Sequence, residues 1–292
     1  MASLTTRRAA EALGVSESSL KRWCDQGELD FSRTAGGHRR LEARTLIAFA
    51  KNRGQQLARP DLLGLFPRRG PSAARVEISA RAFCDALLRG DEAGCRFVAR
   101  TCFLAGQSLA EFGDQFVAAA FRDIGERWAH GDAEVYQERR ACQICQTILG
   151  ELSTLLPESR NGPVAIGGTL AGDPYSLSAS LAALVLRQNG WRAQSLGTGL
   201  PWETLAAAVR DLRPKLFWLS FSTLDTGEDF LEQYRQLQRA IGGQTAIVVG
   251  GRALTPELRT QMNYAAYCDN LQHIESFARS LHRPRTTAKK ER

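Results

Sequence analysis

From residue 163 onwards, short apolar runs alternate with amphipathic stretches, and this alternation constrains the fold more than any other feature. The apolar runs predict five strands, at Val164–Gly168, Ala193–Leu196, Leu216–Phe221, Ala246–Val249 and Ala265–Tyr267. The amphipathic stretches predict five helices, at Leu177–Gln188, Trp202–Leu212, Asp229–Ala240, Pro256–Gln261 and Leu271–Leu281. Alternating strands and helices at this spacing are typical of a Rossmann-like, doubly wound parallel sheet.

The rest of the chain predicts a multidomain α plus α/β protein. Periodicity and breaks divide it into residues 1–53, a winged helix-turn-helix; 54–75, a linker rich in Pro, Gly and Arg; 76–160, a four-helix bundle; 161–283, the Rossmann-like domain; and 284–292, a basic tail. The bundle assignment depends on helical periodicity interrupted at Gly90, Gly106 and Gly131.

Charge and cysteine content narrow the class of protein. The net charge is +7, of which residues 1–53 contribute a surplus of four and residues 283–292 another four, so the middle sums to −1. Localised positive charge is expected of a protein that binds a phosphate backbone. Seven cysteines indicate free thiols in a reducing compartment. No apolar run of membrane-spanning length and no N-terminal apolar signal segment occur, so we expect a cytoplasmic protein without a membrane partner.

The N-terminus predicts two short helices joined by a tight turn. The first is Thr6–Leu13, capped by Thr5 or Thr6, and the second is Glu17–Gln26, capped by Ser16. Gly14-Val15 separates them, and the second helix suits a DNA major groove. Its exposed candidates for DNA contact are Ser18, Ser19, Lys21 and Arg22, whereas Leu20 and Trp23 are expected to face inward.

A hairpin follows over Asp30–Arg40, with Ala35-Gly36-Gly37 at its tip. Glycines allow the backbone to approach a groove closely, and flanking cations suit phosphates or a narrow minor groove. The candidate contacts on the hairpin are Arg33, His38, Arg39 and Arg40.

The string LGVSESSLKRWCDQGEL followed by RTAGGHRRLE resembles the MerR-type winged helix-turn-helix, in the shorter version also found in excisionase-like proteins. The resemblance implies that Lys21, Arg22 and the wing contact double-stranded operator DNA, usually as dimers on repeated half-sites. A helical adaptor that binds no DNA is the alternative.

Three groups of residues follow predicted strands and are expected at one edge of the sheet. They are the loop carrying Asp173, the segment Ser222–Leu224, and Gly250-Gly251. Ligands of open α/β sheets bind at the carboxyl ends of the strands. The sequence therefore predicts a ligand site there.

This layout resembles the cobalamin-binding Rossmann-like domain, whose pattern is Asp-x-His-x-x-Gly, then Ser-x-Leu, then Gly-Gly. In that family the Ser and the glycines line a slot for the nucleotide tail of cobalamin. The matching residues here are Asp173, Ser222, Leu224, Gly250 and Gly251. Tyr175 stands where the family has its axial His, and Ser178 where it has the loop Gly, so the lower cobalt ligand of the family is missing.

The bundle resembles the helical cap of light-sensing cobalamin regulators. In that family a Trp, followed by a Glu-His pair, covers the upper face of the cofactor. Trp128 and Glu138 match, but Arg139 replaces the His. His130 is the one histidine placed for metal ligation, and the phenol of Tyr175 is a second candidate because phenolate binds ferric haem iron.

The ligand therefore stays open at this stage between cobalamin with altered ligation, haem or a bilin, and no small ligand. Trp128 would offer a flat face to a macrocycle, and Arg139 could pair with the carboxylates of haem or a bilin. Light sensitivity would follow only from a photoreactive cobalamin or a bilin.

The sequence as a whole predicts a transcriptional regulator, interpreted as a repressor, whose operator binding is controlled by a tetrapyrrole held between bundle and sheet. It would act as a homo-oligomer, a dimer or a tetramer, since oligomerisation multiplies the affinity of each head. A ligand-independent regulator whose cobalamin-like domain serves oligomerisation or docking of an antagonist protein is the alternative. No nucleophile triad, paired-carboxylate or phosphate-loop pattern occurs, so we expect no enzyme.

Overall fold

The computed structural model of the protein describes residues 3–64, 77–224 and 229–282. The chain divides into two compact units. The head-and-bundle unit comprises Met1–Ser108 and Gln115–Pro157, and the sheet unit comprises Leu109–Asp114 and Glu158–Arg292. Among the described residues, no helix is both long enough and apolar enough to cross a membrane.

The head contains the predicted helix-turn-helix and wing. Its elements are β1 (Ser3–Thr5), α1 (Thr6–Leu13), α2 (Glu17–Asp25), β2 (Ser32–Arg33), β3 (Arg39–Glu42) and α3 (Ala43–Asn52). The hydroxyls of Thr5 and Ser16 cap α1 and α2 by accepting backbone N–H groups, as expected. The strand β1 was not predicted, because three residues are too few to show an alternating pattern; it pairs with β3 and gives the sheet order β1-β3-β2.

The first part of the predicted linker packs against the head. The side chain of Gln55 donates to the carbonyl of Leu13 at 2.8 Å, and the N–H of Arg59 donates to the carbonyl of Ala12 at 3.1 Å. A short 3-10 turn, Pro60–Leu63, then buries Leu63 completely. The expectation of a linker beginning at residue 54 is thus wrong up to residue 64, and residues 65–75 of that linker lie outside the described residues, as does the basic tail 284–292.

The bundle is built from α4 (Ala80–Arg89), α5 (Glu92–Leu104), α7 (Ala119–Ala129) and α8 (Val135–Ser153). Helix α4 ends at Gly90, as predicted, because glycine there adopts a positive φ of 76°. The third predicted helix, between the breaks at Gly106 and Gly131, also includes α6 (Leu109–Phe112) and a π-helical turn at Gly113–Ala118. Its first residues, Leu109–Asp114, belong to the sheet unit.

The sheet unit is the predicted doubly wound parallel sheet. Its strands are β4 (Val164–Thr169), β5 (Arg192–Ser195), β6 (Leu216–Ser220), β7 (Ala246–Gly250) and β8 (Ala266–Cys268), in the order β5-β4-β6-β7-β8. Its further helices are α9 (Leu177–Gln188), α10 (Trp202–Leu212), α11 (Phe230–Ile241), α12 (Pro256–Arg259) and α13 (Leu271–Leu281). All neighbouring strands pair in parallel.

Alternation along the central strand β6 assigns its side chains to two faces. Phe217 and Leu219 are buried in the apolar cluster that includes Leu205 of α10 and Tyr234 of α11. Trp218 and Ser220 therefore point to the opposite face, where α9 and α13 pack against each other. The carboxyl ends of β4, β6 and β7, which carry the predicted ligand residues, lie along one edge.

The segment Leu109–Asp114 stabilises the α9–α13 face. The carboxylate of Asp114 accepts the N–H groups of Leu271 at 2.9 Å and Gln272 at 3.1 Å, at the start of α13. A Cβ added at Gly113 would lie 2.2 Å from the Cδ1 atom of Leu271, so a larger residue would require the Leu271 side chain to move. Placement of this segment in the sheet unit is a tertiary effect that helical periodicity does not reveal.

Candidate DNA-binding surface and ligand site

The recognition helix α2 exposes the residues predicted to contact DNA. Ser18, Lys21 and Arg22 are exposed. Lys21 forms an ion pair with Glu17 at 2.9 Å and keeps half of its side chain exposed. Glu17 also accepts a hydrogen bond from the hydroxyl of Thr6 at 2.7 Å, and this bond, followed by Lys21, holds the pKa of Glu17 below its usual value. Glu17 therefore joins the two helices while the cation remains available to a phosphate.

The wing is a tight hairpin whose tip is exposed. The N–H of Thr34 donates to the carbonyl of His38 at 2.9 Å, and Gly37 has a φ of 77°, which favours glycine. Arg33 and His38 are exposed beside this tip. Their placement agrees with the predicted contact to DNA.

Arg39 differs from its predicted role because its guanidinium is engaged within the head. Only 17% of its side chain is exposed, and it pairs with Asp25 at the end of α2. It also donates to the carbonyl of Lys21 at 3.2 Å and lies 5.0 Å from the ring centre of Phe31. Arg39 thus positions the wing against the recognition helix.

Arg40 is half-buried on β3, where it lies between Thr5 of β1 and Ser32 of β2 in the pairing register. Its predicted contact with DNA is therefore less direct than that of Arg33, which lies at the exposed tip.

Arg53 was missed by the sequence analysis, although it completes the support of α2. Its guanidinium lies 4.7 Å from the ring centre of Trp23 and 4.6 Å from that of Phe49, and it pairs with Glu28. The rings of Trp23 and Phe49 are 5.0 Å apart. Trp23 thus faces inward as expected, and cation–π contact fixes the outer side of the head.

In the bundle, the predicted cofactor residues lie at the end of α7 and the start of α8. Trp128 is 59% exposed, an unusual state for a large aromatic side chain. Glu138 is half-buried and Arg139 is exposed in the first turns of α8. Tyr136, which the sequence analysis did not select, is 63% exposed beside them.

His130, the candidate metal ligand, caps the end of α7. Its ring nitrogen Nδ1 lies 2.7 Å from the carbonyl oxygen of Glu126 on its own helix. Within residues 3–64, 77–224 and 229–282, no group of three His, Cys, Asp or Glu side chains is arranged to hold a metal ion.

Asp173 of the sheet unit is buried and joins two loops. Only 2% of the residue is exposed. One carboxylate oxygen accepts the N–H of Tyr175 at 3.0 Å, and the other accepts the N–H groups of Ser222 at 2.6 Å and Thr223 at 3.3 Å. The loops after β4 and β6, which the sequence analysis expected at one edge, therefore meet through this carboxylate.

Arg252, directly after Gly251, is a further residue that the sequence analysis missed. Its Nε donates to the carbonyl of Ser222 at 3.1 Å, and its guanidinium carbon lies 5.9 Å from the ring centre of Tyr175. Leu224 packs against the apolar cluster on the α10–α11 face. Tyr175 is half-buried beside an arginine.

The glycines after β7 are required by the backbone of this edge. A Cβ at Gly250 would lie 2.7 Å from the carbonyl oxygen of Cys268, and one at Gly251 would lie 2.3 Å from that of Phe221. Gly251 also has a φ of 115°. Close approach of neighbouring chain segments thus requires both glycines.

Ser220 was not selected from the sequence, yet it ends the central strand beside the predicted site. Its hydroxyl is hydrogen-bonded to that of Ser178 on α9 at 2.7 Å. Ser220 lies in register with Thr169 of β4 and Gly250 of β7. Position in the sheet, rather than any motif, identifies it.

These residues fit cobalamin only in part. The fold and the aligned strand ends are those of the resemblance, and Trp128 offers an exposed ring. The loop from Asp173 to Ser178 contains no imidazole, and the carboxylate of Asp173 is used by backbone N–H groups. The absence of the family's lower ligand stays a prediction.

Comparison with protein families finds three matching segments, which correspond to the head, the bundle and the sheet. Residues 3–54 match the helix-turn-helix domain model, residues 79–153 match one model of the B12 binding domain, and residues 163–269 match another. The chain thus has the fold of B12-binding proteins behind an N-terminal helix-turn-helix. The head matches a general helix-turn-helix model, so its MerR type stays a prediction.

The individual relatives include a transcriptional repressor and a corrinoid protein. The HTH-type transcriptional repressor CarH of Myxococcus xanthus is 34% identical over 143 residues, which cover 48% of this chain and 46% of that repressor. The chain therefore spans less than half the length of that relative. Trimethylamine corrinoid protein 1 of Methanosarcina acetivorans is 23% identical over 214 residues, covering 72% of this chain and 99% of that protein.

Among solved structures, the monomethylamine corrinoid protein of Methanosarcina barkeri shares the fold with a TM-score of 0.58 at 15% identity, covering 68% of this chain and 96% of that chain. That structure shows the fold alone, whereas the family models support DNA binding and cobalamin binding. They give no support to haem or a bilin.

Proposed function

We propose that the protein is a cobalamin-responsive transcriptional repressor. The observation that carries the proposal is the presence, in one chain, of an exposed recognition helix with its wing and of segments matching the B12 binding domain. The 34% identity to a transcriptional repressor supports the sign of regulation. A regulator, rather than an enzyme, is also what the helix-turn-helix match favours.

In this proposal the head binds duplex DNA through Lys21, Arg22 and the exposed wing residues Arg33 and His38. Cobalamin supplies a large corrin ring and a cobalt centre, and in the head-and-bundle unit the exposed ring of Trp128 offers a flat face to the corrin. A ligand changes operator affinity only if it binds one arrangement of the protein better than another, and DNA then changes cobalamin affinity by the same factor. Assembly into a homo-oligomer would multiply the affinity of the individual heads.

The test is a linked binding experiment on the full chain. A duplex is first selected from random sequences by the protein, and its affinity is measured by fluorescence anisotropy with and without cobalamin. We expect a change in DNA affinity on the order of five- to 150-fold, and the same factor in cobalamin affinity when the duplex is added. Stoichiometric binding of cobalamin with no change in DNA affinity would refute the coupling.

A ligand-independent regulator is the second candidate. It is favoured by one observation, the use of Asp173 and Ser220 for contacts within the chain at the predicted ligand edge. In this case the protein binds the selected duplex but takes up no cobalamin. The sheet unit would then serve oligomerisation or the docking of an antagonist protein.

A further inference from the structure

The loops at the carboxyl edge of the sheet are joined to one another by their own groups. Asp173 accepts three backbone N–H groups from the segments after β4 and β6. Its own carbonyl accepts the hydroxyl of Thr169 at 2.8 Å. The N–H of Gly199 lies 3.4 Å from the same hydroxyl. The carboxylate of Asp173 and the hydroxyl of Thr169 are therefore engaged within the chain.

Behind these loops lies the α9–sheet junction, which we define as Gly167, Thr169, Ser178, Trp218 and Ser220. Gly167 and Trp218 are neighbours in the register of β4 and β6, and so are Thr169 and Ser220. Because side chains alternate along a strand, those of Thr169, Trp218 and Ser220 point to the α9 face, where Gly167 presents only its backbone. Ser178 joins them from the first turn of α9.

The indole of Trp218 fills the inner part of the α9–sheet junction. A Cβ added at Gly167 would lie 2.2 Å from the Cδ2 atom of Trp218, so the ring lies directly over the glycine. Trp218 is only 2% exposed. Its Nε1 has no hydrogen-bond partner among the described residues.

The hydroxyls of Ser178 and Ser220 close the outer part of the junction. They are 2.7 Å apart, and Ser178 occupies the position at which the resemblance places a glycine. A side chain at this position thus bridges α9 to the end of β6. Space that a glycine would leave is occupied by the bridging hydroxyl.

We infer that the α9–sheet junction is filled by the chain's own side chains and admits no nucleotide tail. A corrinoid bound by this protein therefore keeps its nucleotide base outside the sheet unit. That the ligand is a corrinoid comes from the proposed function. That the junction is filled comes from the structure of the junction alone.

The first test compares cobalamin with cobinamide, a corrinoid that lacks the nucleotide tail, as ligands of the full chain. We expect their dissociation constants to agree within about threefold, because the tail makes no contact with the protein. A preference of more than about tenfold for cobalamin would overturn the inference.

The second test opens the junction. Ser178→Gly, on the first turn of α9, removes the outer bridge with little loss of packing, and Trp218→Leu empties the inner part. We expect at least one of them to create a preference for cobalamin over cobinamide. Phe217→Leu, adjacent in sequence but on the opposite face, is the matched control and should leave the ratio near one. An unchanged ratio in both opening variants would show that these side chains do not exclude the tail.

Absence of binding separates the two proposals. If the unaltered protein takes up neither corrinoid, the cobalamin part of the proposed function fails. The inference is then decided by the same variants, since tail-dependent binding of cobalamin by Ser178→Gly or Trp218→Leu supports it. Failure of both folded variants to bind cobalamin refutes it.

Discussion

Arg39 of the wing pairs with Asp25 at the end of the recognition helix, and this ion pair holds the wing and α2 in one orientation. We expect Asp25→Ala to weaken binding to the selected duplex by about tenfold. The change in charge alone would predict tighter binding to DNA, because loss of a carboxylate reduces repulsion from the phosphates. The change in stability should stay below about 1 kcal/mol, since the pair is partly exposed.

The matched control for this pair is Asp30→Ala, which removes an exposed carboxylate at the start of the hairpin. It should bind DNA as well as, or slightly better than, the unaltered protein. Asp25→Glu should restore most of the affinity. Tighter binding by Asp25→Ala would show that Arg39 does not position the wing.

The cations of α2 should determine the salt dependence of DNA binding. Replacing Lys21 or Arg22 by Ala removes one phosphate contact each, and the slope of log affinity against log salt should fall by about one per residue. Arg210→Ala, at an exposed position on α10, is the control and should leave the slope unchanged. If all three variants kept the salt dependence of the unaltered protein, α2 would not belong to the DNA interface.

Asp173 should stabilise the sheet unit. Asp173→Ala leaves the N–H groups of Tyr175, Ser222 and Thr223 without their acceptor in a largely buried place, and each such group costs about 1–3 kcal/mol. Urea unfolding should show this loss, whereas Asp211→Ala on the exposed side of α10 should not. An unchanged midpoint for Asp173→Ala would mean that water replaces the carboxylate at no cost.

Trp128 should contribute to ligand binding without contributing to stability. Its side chain is largely exposed, so Trp128→Ala should leave the melting temperature within about 1–2 °C. Titration with cobalamin should show an affinity about tenfold lower. Tyr136→Ala, which removes a neighbouring exposed ring, is the control; an equal loss in both variants would indicate a general effect on α7 and α8.

The buried thiols of the bundle should make stability depend on pH above the neutral range. Burial raises the pKa of Cys84 and of Cys95 to about 12, from an ordinary value of 9.0. Because the unfolded chain ionises first, the free energy of unfolding is independent of these thiols below pH 9. It should fall between pH 9 and 12, by at most about 1.4 kcal/mol per pH unit for each thiol.

Denaturant titrations between about pH 7 and about pH 11 check how the free energy of unfolding depends on pH. Cys95→Ala, at a fully buried position, should make the decline less steep. Arg210→Ala should leave the decline of the free energy of unfolding with pH unaltered. A decline of equal steepness in Cys95→Ala would assign it to other groups.

Local patterns were sufficient for much of the fold. Three helices of the sheet unit, Leu177–Gln188, Trp202–Leu212 and Leu271–Leu281, begin and end at the predicted residues. Hydrophobic periodicity and turn residues are properties of a short window of sequence, and they determine such bounds. The three residues of β1 and the packing of residues 54–64 were missed, since both depend on partners distant in sequence.

For the candidate sites, the sequence by itself determined which chemical groups are present. It shows a cationic helix and wing, a loop without an imidazole at Tyr175, and a Trp at position 128. Only the tertiary structure decided which of these groups are engaged within the chain. Arg33 and Arg39 have the same chemistry and lie on the same hairpin, yet Arg33 donates to the carbonyl of Gly37 within the wing, whereas Arg39 pairs with Asp25 of the recognition helix. Likewise, Trp218 covers Gly167 only because β4 and β6, some fifty residues apart in sequence, pair in this register. A side chain's type is local information, whereas its burial and its hydrogen-bond partners depend on residues that folding brings together.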